Sequence, residues 1–155
     1  MRFLLVDRIH EIEPGRRITG DKLAAMSEDY FEWHFPERPI VPGMLILEAC
    51  VQLAGWLEAK TSDFERFLLL ERVASARYYN FAGPGDRIEL ELQQVQAEGA
   101  RRVFQGETRV GEKRGAVIEF EARAVPLAEL EDPIKARRTF ESLCGLVPGS
   151  EGGRG

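Results

Sequence analysis

A histidine, a glycine and a glutamate stand close together in the stretch HFPERPIVPGMLILEACVQLAGW. His34 lies between Trp33 and Phe35, and imidazole, with an ordinary pKa of about 6.5, suits base chemistry at neutral pH. Glu48 follows between Leu47 and Ala49 in a greasy run, with Gln52 one helical turn further on the same face. A carboxylate buried there would be costly unless paired or protonated, and desolvation would raise its pKa toward what a general acid needs. Pro42-Gly43 would open the helix, where free N–H groups and the helix dipole favour developing negative charge. Each feature alone has a plainer reading. The glutamate could reach a loop amide, the histidine could pack on aromatics, and Pro-Gly could be a simple turn. Together they would supply a base, an oxyanion site and an acid.

The other chemistry-bearing residues stand apart from this group. Cys50 is rotated about 200° from Glu48 on a helix and reads as core. His10 sits in a charged N-terminal segment and reads as surface. No Gly-rich phosphate fingerprint, serine elbow or metal-ligand spacing is present, since two cysteines and two histidines fit no usual zinc pattern.

These residues need elements to hold them. Residues 44–60 are rich in Leu, Met and Ala and apolar in nearly every direction, which predicts one long helix buried on most sides. Two strands are expected before it, the first in RFLLVDRIHEIEPG and the second over 16–25. The proline-rich stretch SEDYFEWHFPERPIVPG has no periodicity, and long loops of that kind are often functional. After the helix, FERFLLLERVASARYYNF, DRIELELQQVQAEG, RRVFQGETRVGEK and GAVIEFEARAV read as strands of a meander, with turns at Gly83-Pro84-Gly85-Asp86, Gly99 and 111–115. A sheet wrapped around a single helix is the natural packing solution. The tail from 126 is charged, with a helix expected over 132–143 and a disordered SEGGRG ending.

Composition bounds the partners. At 155 residues, 44% hydrophobic and 30% charged, the chain is one ordinary globular domain rather than a disordered one. A formal charge of −5 with no basic stripe is the wrong sign for nucleic acid. The run MRFLLVDR is too short for a signal peptide, and no apolar stretch matches the roughly 20 residues needed to cross a bilayer. A cytoplasmic protein with reduced thiols is the expectation.

The stretch HFPERPIVPGMLILEACVQLAGW resembles the loop and central helix of the 3-hydroxyacyl-[acyl-carrier-protein] dehydratases, the Z-type enzymes of fatty-acid synthesis and their A-type relatives. FLLVDRIHEIEPGRRITG and ARYYNFAGPGDRIELEL are similar to that family's N-terminal strand and its later strand, turn and strand. The resemblance implies an α+β hotdog fold, an antiparallel sheet wrapped around one long helix, over residues 1–125. Residues 126–155 would then be an extension. It implies His34 and Glu48 as catalytic, facing each other across a homodimer interface, with assembly into a trimer of dimers in many relatives. The Gly43 amide would hold the thioester carbonyl, and Phe35, Pro42 and Gln52 would line the substrate. The product is a trans-2-enoyl thioester, for fatty-acid or related polyketide or polyene synthesis. No metal or redox cofactor is implied, because phosphopantetheine carries the substrate on an acyl-carrier protein or coenzyme A.

Two positions depart from the family pattern, where Trp33 and Glu37 replace glycines, and Glu37 could pair with Arg38. The strand before the Pro-Gly-Asp turn keeps Arg77 but few other cations, which would weaken docking of an acidic carrier. Two competing readings are a hotdog thioesterase and an inactive acyl-binding subunit. Glu48 fits a thioesterase as well, whereas His34 in its His-Phe-Pro loop favours dehydration.

Overall fold

In a computed structural model, which describes residues 3–145, six strands form one antiparallel sheet around a long helix. Two short strands come first, β1 (Arg8–Glu13) and β2 (Arg17–Leu23). They are joined through Gly15, whose φ of 73° is left-handed and easy only for glycine. A loop with one 3-10 turn, Asp29–Glu32, leads to α1 (Gly43–Thr61). Then follow β3 (Arg66–Tyr78), β4 (Arg87–Glu98), β5 (Arg101–Val110) and β6 (Lys113–Pro126). A 3-10 turn at Leu127–Glu129 and α2 (Pro133–Leu143) complete the described chain. The expected SEGGRG ending lies outside the described residues.

The sheet order is β1-β2-β4-β5-β6-β3. Grouping the four later strands into one meander is therefore corrected. Only β4, β5 and β6 pair in succession, while β3 crosses to the far edge and pairs with β6. Burial explains the placement. β4 carries Ile88, Leu90 and Leu92, all fully buried beneath α1, whereas only Leu68 of β3 is buried. The apolar strand takes the centre and the exposed one takes an edge. Irregular register within β3, β4 and β5 adds curvature, as bulges do.

Helix α1 is buried from Ile46 to Ala59 on nearly every side, as its unbroken apolar composition predicts. Cys50, Leu53, Ala54 and Leu57 meet Ile18, Leu92, Phe104 and Phe120 of the sheet, all fully buried. Gly55 permits a close approach here, since a Cβ would sit 2.4 Å from Phe67 Cζ. Among the described residues the most deeply buried carboxylate is Glu58, which accepts hydrogen bonds from Arg102 at 2.9 and 3.1 Å and from Arg66 at 2.8 Å. Glu48, expected to be the buried acid, is only half-buried. Helix α2 starts where Asp132 caps the Ile134 amide and Pro133 occupies the first position. It seats Phe140 against Trp56 and Phe64 at centroid distances of 6.0 and 5.4 Å.

Candidate active site

His34 is held by backbone on both sides. Its N–H donates to Tyr30 O at 2.9 Å, and its carbonyl accepts from the Ile40 N–H at 2.9 Å. Its Nδ1 lies 3.0 Å from Ile40 O. A carbonyl can only accept, so Nδ1 must carry the proton. In the neutral ring, Nε2 then keeps its lone pair and is the free basic atom. The Phe35 ring stacks on the imidazole at 4.2 Å, and the His34–Phe35 peptide bond is cis. The loop is tied to the next turn by the Val41 N–H, which donates to Ala82 O. Ile40 as orienter of the histidine is invisible in the sequence, because nothing in residue type marks a backbone acceptor.

Gly43 is the first residue of α1, with Pro42 as its N-cap. The Leu45 and Ile46 amides bond the Pro42 carbonyl, whereas those of Gly43 and Met44 have no carbonyl of their own helix to bond. Tyr78 packs directly over Gly43, and its hydroxyl donates to the Gly43 carbonyl at 2.7 Å. A Cβ at Gly43 would lie 2.8 Å from Tyr78 Cζ. Only glycine fits beneath that ring. Burial raises the Tyr78 pKa and keeps it a donor. The role of Tyr78 was not legible beforehand, because β3 and the helix start are far apart in sequence.

Glu48 lies one turn into α1, where its Oε1 accepts from Gln52 Nε2 at 3.0 Å. Gln52 also donates to Phe3 O and accepts from the Leu5 N–H, at 3.0 and 2.9 Å. With its amide committed in this way, Gln52 orients Glu48 and pins the N-terminal segment across the helix. Glu48 and Gln52 border an open groove of about 340 Å³, whose other walls include Trp56, Phe67 and Leu69. Cys50 faces the core, and burial pushes its thiol up to about 12.

Among the described residues no hydrogen bond joins His34 to Glu48, and His34 is not part of the groove that Glu48 borders. Trp33 lines a separate recess with Tyr30, Leu45, Phe3 and Leu4, and is 77% exposed. Trp33 therefore does not fill the Glu48 groove. Glu37 and Arg38 are both exposed.

His10 is exposed as read, yet its Nε2 lies 2.7 Å from buried Asp21, so a carboxylate partner exists. Arg77 is exposed on β3. The β3–β6 register sets it opposite Val117, and the Arg114 guanidinium lies 5.7 Å above the Tyr79 ring. Among the described residues, no group of three or more His, Cys, Asp or Glu is placed to hold a metal ion. Among the described residues, no helix is long and apolar enough to cross a membrane.

A six-stranded antiparallel sheet wrapped around one long helix defines a hotdog-fold protein, and it carries a histidine on the loop before the helix and a carboxyl in the helix's second turn. The model of the FabA-like domain matches residues 1–121, and the chain belongs to that family. The 3-hydroxyacyl-[acyl-carrier-protein] dehydratase FabZ of Myxococcus xanthus is 39% identical over 126 residues, covering 79% of this chain and 82% of the relative. FabZ of Aliarcobacter butzleri is 38% identical over 128 residues, covering 79% of this chain and 87% of its own. Among solved structures, the fluoroacetyl-CoA thioesterase FlK aligns with a TM-score of 0.64 at 13% identity, over 83% of this chain and 97% of that one. The dehydratase heterocomplex ApeI:P from Xenorhabdus doucetiae gives 0.58 at 14% identity, over 73% of this chain and 92% of that one. At such identities the two structures speak for the fold alone.

Proposed function

We infer that the chain dehydrates a 3-hydroxyacyl-[acyl-carrier-protein] to the trans-2-enoyl thioester in fatty-acid synthesis, as a hydro-lyase. The Gly43 N–H holds the thioester carbonyl, and His34 Nε2 removes a proton from C2. The electron pair forms an enolate whose oxygen the helix start stabilises, and one such donor contributes about 3 kcal/mol. The pair then forms the C2–C3 double bond as the C3 hydroxyl departs. Glu48, in its acid form or through a water, protonates the hydroxyl, and water leaves. Phe35 and Pro42 flank these groups. The elimination moves no net electrons and needs no metal or redox cofactor, and the substrate rides on phosphopantetheine.

The observation that carries this reading is the 3.0 Å contact from His34 Nδ1 to Ile40 O, which leaves Nε2 as the basic atom. His34 lies outside the groove that Glu48 borders in the same chain, and on this reading the working site combines His34 of one protomer with Glu48 of the other. Edge strand β3 is thirteen residues long and exposes Leu69, Leu70 and Val73. It offers a second copy both unpaired backbone and apolar surface. The unit is accordingly a homodimer, and three such dimers would make a hexamer. The carrier docks at Arg77, and the reaction takes place in the cytoplasm.

The test is enoyl formation from 3-hydroxyacyl thioesters on acyl-carrier protein and on coenzyme A. Faster turnover on the carrier protein is expected, and release of free thiol instead would establish a thioesterase.

A further inference from the structure

We propose that the segment after β6, beyond the residues the family model matches, closes the far end of the groove that begins at Glu48, and that Leu130 sets the upper acyl chain length. The proposal rests on the dehydratase reading above. Glu48, Gln52 and Trp56 recur every fourth residue, so they line one face of α1 over about 12 Å of helix. Glu48 marks the reacting end of this floor. Leu127, Leu130 and Ala136 form the opposite end, and all three lie past residue 121, where the family match stops.

The occupant is the acyl chain of the thioester, because the groove is continuous with the carboxyl and mainly apolar beyond it. The end wall is anchored. Leu127 is buried and its N–H donates to Glu65 O at 2.9 Å, while the Leu130 N–H donates back to Leu127 O at 2.9 Å. Helix α2 behind it is fixed by Phe140 on Trp56 and by Arg137, which donates to Asp63 at 2.9 Å. Leu130 is the adjustable part of this wall, since it is 47% exposed. Glu131 follows it in the lining, so a chain that passes Leu130 meets a carboxylate and water. Each methylene buried before that point should raise kcat/KM about fourfold, and those beyond it should add nothing.

The test measures kcat/KM over a series of 3-hydroxyacyl thioesters of increasing length for wild type, Leu130→Ala and Leu130→Trp, with thermal melting to verify folding. The wild-type profile should rise and then break. The break should move to longer chains in Leu130→Ala and to shorter ones in Leu130→Trp. A break that stays in place in both folded variants overturns the proposal. So does a Leu130 substitution that alters dimer dissociation without moving the break, since a second copy would then fill the groove. Equilibrium binding of the same thioesters separates this result from failure of the dehydratase reading. A length break that Leu130 shifts in binding, without turnover, supports the groove and removes only the dehydratase reading.

Discussion

Imidazole and carboxyl are each oriented by one short contact, His34 by Ile40 O and Glu48 by Gln52. In the proposed mechanism, replacing His34 with Ala removes the base, and Glu48→Gln keeps the shape while removing the acid. Each change should lower kcat about 10²–10⁴-fold with little change in melting temperature, as read by enoyl absorbance and a thermal scan. Cys50 gives a different signature. Its thiol is pushed from 9.0 to about 12 on burial, whereas the unfolded thiol ionises near its ordinary value. Stability from this group is whole below about pH 9 and is lost as pH rises toward 12, by up to about 1.4 kcal/mol per pH unit. Denaturant titrations at pH 8 and pH 10.5 should show a smaller loss for Cys50→Ala than for wild type. At this scale the sequence was a partial guide. The His34, Gly43 and Glu48 group stood out by type and spacing, but the deeply buried acid is Glu58. An apolar helix all round cannot show which glutamate has partners, and Arg102 arrives from a strand far along the chain.

Helix α1 joins the site to the frame. At its C-terminal half, Glu58 is fully buried between Arg66 and Arg102 and ties the helix to β3 and β5. Removing one member leaves buried charge unpaired, so Glu58→Ala should cost about 3–5 kcal/mol in a denaturant melt. At its N-terminal end, the Tyr78 ring occupies the space a side chain would need at Gly43. Gly43→Ala should displace Tyr78 and cost about 1–3 kcal/mol together with turnover, whereas Tyr78→Phe should keep the packing and lose only the hydroxyl's bond to the Gly43 carbonyl. The helix and six strands were legible from period, propensity and turn residues. The pairing was not. Alternation fixes which face of a strand is buried but not its neighbours, so β3 could be placed only by its pairing with β6.

At the scale of the whole molecule, a single chain leaves its histidine outside the groove that its carboxyl borders, and leaves the outer side of edge strand β3 unpaired. Both features would be met by two copies that share their sites, as proposed. The resemblance to the dehydratases implied such sharing, but nothing in the periodicity of one chain could have revealed it. The most direct measurement mixes two inactive variants. His34→Ala and Glu48→Gln chains are unfolded together, refolded as a mixture and assayed for enoyl thioester formation. In a mixed dimer one site carries both defects and the other carries none. Restored dehydration in the mixture, absent from either variant alone, is the predicted result. A mixture that stays inactive while wild type refolded in the same way recovers would contradict a site shared between protomers.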